Sequence, residues 1–237
     1  MKNLFFCLGF LFLILCPAAD STAAGSGESL NTWVTGYYLH PEPQKIPEKI
    51  LDYTDSSLYD DPSTRFTLAA FFATLLKNDS TLINKAYQVI ADKGSENSKV
   101  FFLNVLWQID TMTAQDLMKK IVALWPTPEV QRVAAWLGEN PPPNLLYGPV
   151  QNVAHLDMLW AMFFATGSED PIRKIISVVE WANANNSEMM SIGGAAQWSL
   201  TSNAQQHRKV YEICKKESAQ GKGYTQKFLK DLLTQSR

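Results

Sequence analysis

Apolar residues return every three to four positions along most of this chain, and that spacing confines it to helices. Leu68, Phe71, Phe72, Leu75 and Leu76 fall on one helix face, as do Phe101, Phe102, Val105, Leu106 and Ile109, and again Leu156, Leu159, Trp160, Phe163 and Phe164. Start signals agree with the spacing. Asp61-Pro62, Thr127-Pro128 and Asp170-Pro171 each put a side-chain acceptor at a helix N-cap and a proline in the first turn, where its missing N–H is no loss. Alternating β-branched runs closed by Asn-Gly or Asp-Gly turns do not occur. The expectation is an all-α fold of antiparallel helical hairpins, about ten to twelve helices in all.

With 237 residues, 46% of them apolar and 19% charged, the chain can bury a core of its own. Its 21 Lys and Arg against 23 Asp and Glu leave a net charge near −2, so no global field draws nucleic acid or an anionic membrane.

The first residues carry a different signal. Lys2 supplies a positive start, Leu4 to Cys16 form an apolar run of 13 residues, and Pro17 to Ala24 are mostly small. This is the pattern of a cleaved secretory signal peptide, assigned to residues 1–23. The run is shorter than the roughly 20 residues that cross a bilayer, so no transmembrane helix is expected in the mature chain. The expected location is periplasmic or extracellular. Cys7 and Cys16 leave with the signal segment, so only Cys214 remains and no internal disulfide can form. Residues 24–237 read as a single all-α domain, with halves 24–139 and 150–237 joined by a Pro-rich loop as the alternative division.

Helix breaks fall near positions 78, 110, 167 and 203, at intervals of 32, 57 and 36 residues, and the long interval holds an extra helix from Thr127 to Leu137. Two of these intervals lie close to the ~34 residues of helical-hairpin repeats. From Asp61 to Lys216 the pattern resembles α-solenoid proteins of the tetratricopeptide or HEAT kind. It departs from the tetratricopeptide signature in that Trp136-Leu137-Gly138 stands in the wrong helix and is followed by prolines. The resemblance implies stacked antiparallel helices with a binding groove, a repeat-like superhelix. An irregular helical bundle is the other arrangement that the same periodicity permits.

Side chains that carry chemistry are sparse. His40, His155 and His207 have no His or Cys partner three or four residues away, so no metal or cofactor site is expected. There is no Gly-x-Ser-x-Gly elbow, Ser-x-x-Lys pair or Gly-rich phosphate loop. His155 and Asp157 point about 200° apart on a helix and read as a polar pair at its N-terminus. Asp60-Asp61 and Glu169-Asp170 precede prolines at helix starts and read as caps. Cys214, beside Val210 and Ile213 on an apolar stripe, reads as a buried thiol.

Two aromatic or apolar segments are candidates for a binding surface. One is Trp33, Tyr37 and Tyr38 on a short helix ahead of His40-Pro41-Glu42-Pro43. The other is Leu145, Leu146 and Tyr147, carried in the loop from Asn140 to Pro149, which is too rich in proline for helix. Gly193 and Gly194 weaken the helix that holds them, which calls for a neighbour in close approach. Residues 207–237 carry eight Lys and Arg against three Asp and Glu, while the rest of the chain carries 13 against 20, so a basic tail follows an acidic body. The sequence-level expectation is an exported, non-catalytic helical-repeat protein that binds a protein or a cell-envelope component. The alternatives are an envelope-acting hydrolase using a loop carboxylate and a purely structural periplasmic protein.

Overall fold

The structure, a computed structural model, describes residues 29–235. They form twelve α-helices and three short 3-10 turns, with no strand among the described residues. The helices are α1 (Leu30–Gly36), α2 (Ile46–Thr54), α3 (Pro62–Leu76), α4 (Ser80–Lys93), α5 (Glu96–Ile109) and α6 (Met112–Leu124), followed by α7 (Pro128–Glu139), α8 (Val153–Thr166), α9 (Glu169–Ile176), α10 (Ser187–Gln206), α11 (Arg208–Gln220) and α12 (Gly223–Gln235). The 3-10 turns are Pro43–Lys45, Ser57–Asp60 and Val179–Asn183. No described helix is long and apolar enough to cross a membrane. The signal-peptide assignment, residues 1–23, lies outside the described residues.

Most helix starts follow the local chemistry. Asp61 accepts from the Ser63 amide at 2.9 Å ahead of α3, and Thr127 from the Val130 amide at 3.3 Å ahead of α7. Two boundaries differ from expectation. The cap of α9 is Ser168, not Asp170, because Gly167 ends α8 in the left-handed region (φ 66°) and the chain re-enters helix at once. Pro171 is then the third residue of α9, still inside the turn that needs no amide donor. The last break falls at His207 instead of Asn203, whose side-chain amide donates back to the Ser199 carbonyl at 2.9 Å, so that it is buried inside α10.

The described chain divides into two compact units. One comprises residues 29–144 with 164–166; the other comprises 145–163 with 167–235. In the N-terminal unit α5 is the hub. Val100, Phe101, Phe102, Leu103, Val105, Leu106, Trp107 and Ile109 are all buried, so α5 is apolar all round, and α2, α3, α6 and α7 pack on it. Aromatic rings meet edge to face through this core: Trp33 and Tyr37 on Phe71 at 5.8 and 5.7 Å, Tyr53 on Phe101 at 4.9 Å.

The C-terminal unit is assembled differently. α10 lies on the Val179–Asn183 turn so closely that a Cβ on Gly193 would stand 2.0 Å from the Ala182 nitrogen, while one on Gly194 would meet nothing. The close approach required by the glycine pair therefore belongs to Gly193 alone. Arg173 on α9 pairs with Glu169 and Asp170 on its own helix and with Glu217 on α11 at 2.9 Å, and Lys216 returns to Glu169 at 3.0 Å. Cys214 is fully buried, and burial pushes its thiol up to about 12, which leaves it unreactive.

Candidate functional site

An aromatic face on the surface of the N-terminal unit is built by three helices. Asp61 and Pro62 start α3 and bring Phe66 into its second turn; Trp107 comes from the last turns of α5, and Trp136 from the end of α7. The Phe66 and Trp136 rings lie 6.3 Å apart at 60°, and Trp136 and Trp107 lie 5.9 Å apart at 52°. Trp107 is the floor of this face, 9% exposed, whereas Phe66 and Trp136 keep 38% and 46% of their surface in solvent. Phe66 and Trp136 thus form a pair of exposed rings in contact with each other.

Two side-chain amides stand beside the face, each making a hydrogen bond to its backbone. Gln108 donates to the Phe66 carbonyl at 3.4 Å, and the Asn140 side chain donates to the Trp136 carbonyl at 2.8 Å. The Trp107 indole N–H donates to the Asn140 carbonyl at 2.7 Å. Asn140 stands in extended backbone (φ −117°, ψ 109°), as a residue ahead of proline must.

Beneath α3 lies a more polar cluster. Arg65 sits over the Tyr59 ring at 5.1 Å, and the fully buried Tyr53 hydroxyl and the Arg65 Nε have no partner among the described protein groups. Burial holds both tyrosine hydroxyls above their ordinary range, Arg65 opposing the shift in each.

In the C-terminal unit, His155 and Asp157 are both buried on α8. The His155 Nε2 lies 2.9 Å from the Leu145 carbonyl, which can only accept, so the ring donates and ties the 145–147 loop to the helix. Burial lowers His155 from its ordinary value and pushes Asp157 up to about 7. The pair stands in the first turns of α8, as the sequence suggests, but buried. Among the described residues no three His, Cys, Asp or Glu side chains gather as a metal site.

The sequence candidates are distributed unevenly. Trp33 and Tyr37 are brought together at 5.1 Å, but they are 3% and 5% exposed and serve the core through Phe71. Tyr38 is half-buried. Leu145 and Leu146 are half-buried and Tyr147 is 85% exposed, in the other unit. Sequence reasoning missed Phe66, Trp107 and Trp136. The available signal was that Phe66 and Trp136 lie off the apolar stripes of their own helices, which for a large ring means the surface.

Compared with protein-family models, curated proteins and solved structures, the chain matches none.

Proposed function

We propose that this chain is an exported, non-catalytic helical protein that binds another protein or a cell-envelope component through the aromatic face of Phe66, Trp107 and Trp136. The observation that supports the reading is the exposure of two large rings in contact with each other on a unit most of whose other aromatics are buried. Aromatic anchors of this kind supply large contact area at little entropic cost and dominate interfaces. Either an irregular bundle or a repeat-like superhelix of helical hairpins provides the scaffold, since α5 packs mainly on helices one or two places along the chain. Export rests on residues 1–23, and N-terminal sequencing of secreted protein should find a start between Asp20 and Gly25. The binding test is retention of the mature chain by the envelope fraction of its source. Trp136→Ala should weaken retention about tenfold or more, and Trp198→Ala, which removes a similarly exposed indole from α10, should leave it unchanged. Equal retention of both variants would refute the reading.

One observation favours a second reading, that of an envelope-acting hydrolase. Asp157, with its carboxyl raised to about 7, is suited to give and take protons near neutrality, though it stands on a helix and not in a loop. Turnover of cell-wall or peptide substrates that is abolished in Asp157→Asn would support this reading; absence of turnover removes it.

A further inference from the structure

We infer that the polar cluster beneath α3 binds one internal water molecule, which accepts from the Arg65 Nε–H and joins it to the Tyr53 hydroxyl. The inference is independent of the aromatic face and of Asp157. Tyr53 is 0% exposed near the end of α2, and its hydroxyl and the Arg65 Nε are buried with no hydrogen-bond partner among the described residues. Other buried hydroxyls find protein partners. Thr54 and Ser98 bond each other at 2.7 Å, Thr64 donates to Asp61 at 3.1 Å, and Ser199 and Ser218 donate to backbone carbonyls at 3.2 and 2.8 Å. Two polar atoms of one cluster left unpaired are the exception in a native interior, because each would give up its hydration for nothing.

The two atoms share a neighbourhood. The Tyr53 and Tyr59 rings lie 5.7 Å apart, and the Arg65 guanidinium carbon stands 5.1 Å from the centre of the Tyr59 ring. Arg65 also acts electrostatically on the Tyr53 hydroxyl, holding back the rise that burial causes. Its Nε–H can only donate, so the missing partner must accept. The protein's nearby carboxylates are committed elsewhere. Asp61 gives one oxygen to the Ser63 amide and hydroxyl and the other to Thr64, and Glu129 gives both of its oxygens to Arg132. Their charges still reach the cluster, Asp61 raising Tyr53 and Glu129 raising Tyr59. An anion would therefore meet two carboxylates against one guanidinium, and a cation would meet the guanidinium itself. Water is neutral, accepts from Nε and can give to or take from the tyrosine oxygen, which satisfies both groups at once.

The test uses the mature chain, isotope-labelled for magnetic resonance. The Arg65 Nε–H signal should cross-relax with water, with opposite signs in the laboratory and rotating frames, the signature of a water held in place. Tyr53→Phe keeps the ring and removes the oxygen. It should raise the unfolding constant about fivefold, because the water loses one of its partners. A hydroxyl that had no partner at all would give the opposite sign, since its removal relieves an unpaired buried group and stabilises the fold. A Tyr53→Phe variant as stable as the parent or more stable, or an Arg65 Nε–H without bound-water cross-relaxation, would overturn the inference. Stabilisation of the parent by added chloride that is lost in Arg65→Lys would put an anion in the site and overturn it as well.

Discussion

The two units solve the burial problem with different materials. The N-terminal unit stacks rings around α5, with Trp33, Tyr37, Phe71, Phe72 and Phe101 meeting edge to face inside it. The C-terminal unit buries one edge-to-face pair, Trp160 and Phe163 at 6.0 Å, among mostly aliphatic side chains, and adds a backbone contact at Gly193, the ion pairs of Arg173 and two buried ionisable side chains on α8. An aromatic core tolerates extra rings at its margin, and the N-terminal unit displays two of them, Phe66 and Trp136. The C-terminal unit displays rings too, Trp198 at 45% and Tyr147 at 85% exposure, while Phe66 and Trp136 in addition meet each other, 6.3 Å apart.

The difference is broken most severely at Trp33. Its ring meets Tyr37 and Phe71 edge to face, and its indole donates to Glu42 at 3.1 Å. Trp33→Ala should cost about 3–5 kcal/mol in denaturant unfolding, with loss of near-ultraviolet ellipticity. A cost below ~1 kcal/mol would mean that α1 adds little to the core.

Asp157 comes next, and its effect depends on pH. In the unfolded chain this carboxyl ionises near its ordinary value of 3.8, whereas the folded protein holds the proton up to about 7. Between those limits the folded state binds more protons, so the contribution of Asp157 to stability is fully present at low pH. It is lost as pH rises from about 4 to about 7, then stays level. His155 and His207, both lowered by burial, act in the opposite sense as the pH falls through the histidine range, so the informative quantity is variant minus parent. Asp157→Asn should gain on the order of 2–4 kcal/mol over the parent at pH 8, and the gain should shrink toward pH 4. A gain that does not vary with pH would rule out a buried, proton-holding carboxyl.

Helical class was legible because the 3.6-residue period is a local property, and Asp61 and Thr127 announced their helix starts for the same reason. Local rules failed at Asp170 and Asn203, where a left-handed glycine and a back-bonded amide moved the boundary. The aromatic face was not legible. Phe66, Trp107 and Trp136 come from helices far apart in sequence, and nothing within one helix says that three rings will meet. Trp33 and Tyr37 stand on a helix too short to show which face is buried, so the same composition served for a core or for a surface.

Gly193→Ala sharpens the contrast between the units. Its Cβ cannot fit against Ala182 without backbone movement, so a loss of about 1–3 kcal/mol is expected. Gly194→Ala, with open space around it, should stabilise α10 by up to ~1 kcal/mol. Thermal melts of the two variants check this, and similar changes in both would contradict the close approach at Gly193. A smaller effect is expected at Cys214, where the alanine variant should lose about 1 kcal/mol. The native thiol should resist alkylation until the chain unfolds. Ready labelling of the folded protein would place the sulfur at the surface.

The largest expected role in binding belongs to Trp136. Its unfolding free energy and its envelope binding, measured on one preparation of Trp136→Ala, test the account most directly. A ring displayed for a partner should lose no more than about 1–3 kcal/mol, the worth of its contacts with Phe66 and Trp107, while binding falls about tenfold or more. A stability loss of several kcal/mol with binding per folded molecule unchanged would contradict the account and return Trp136 to the core.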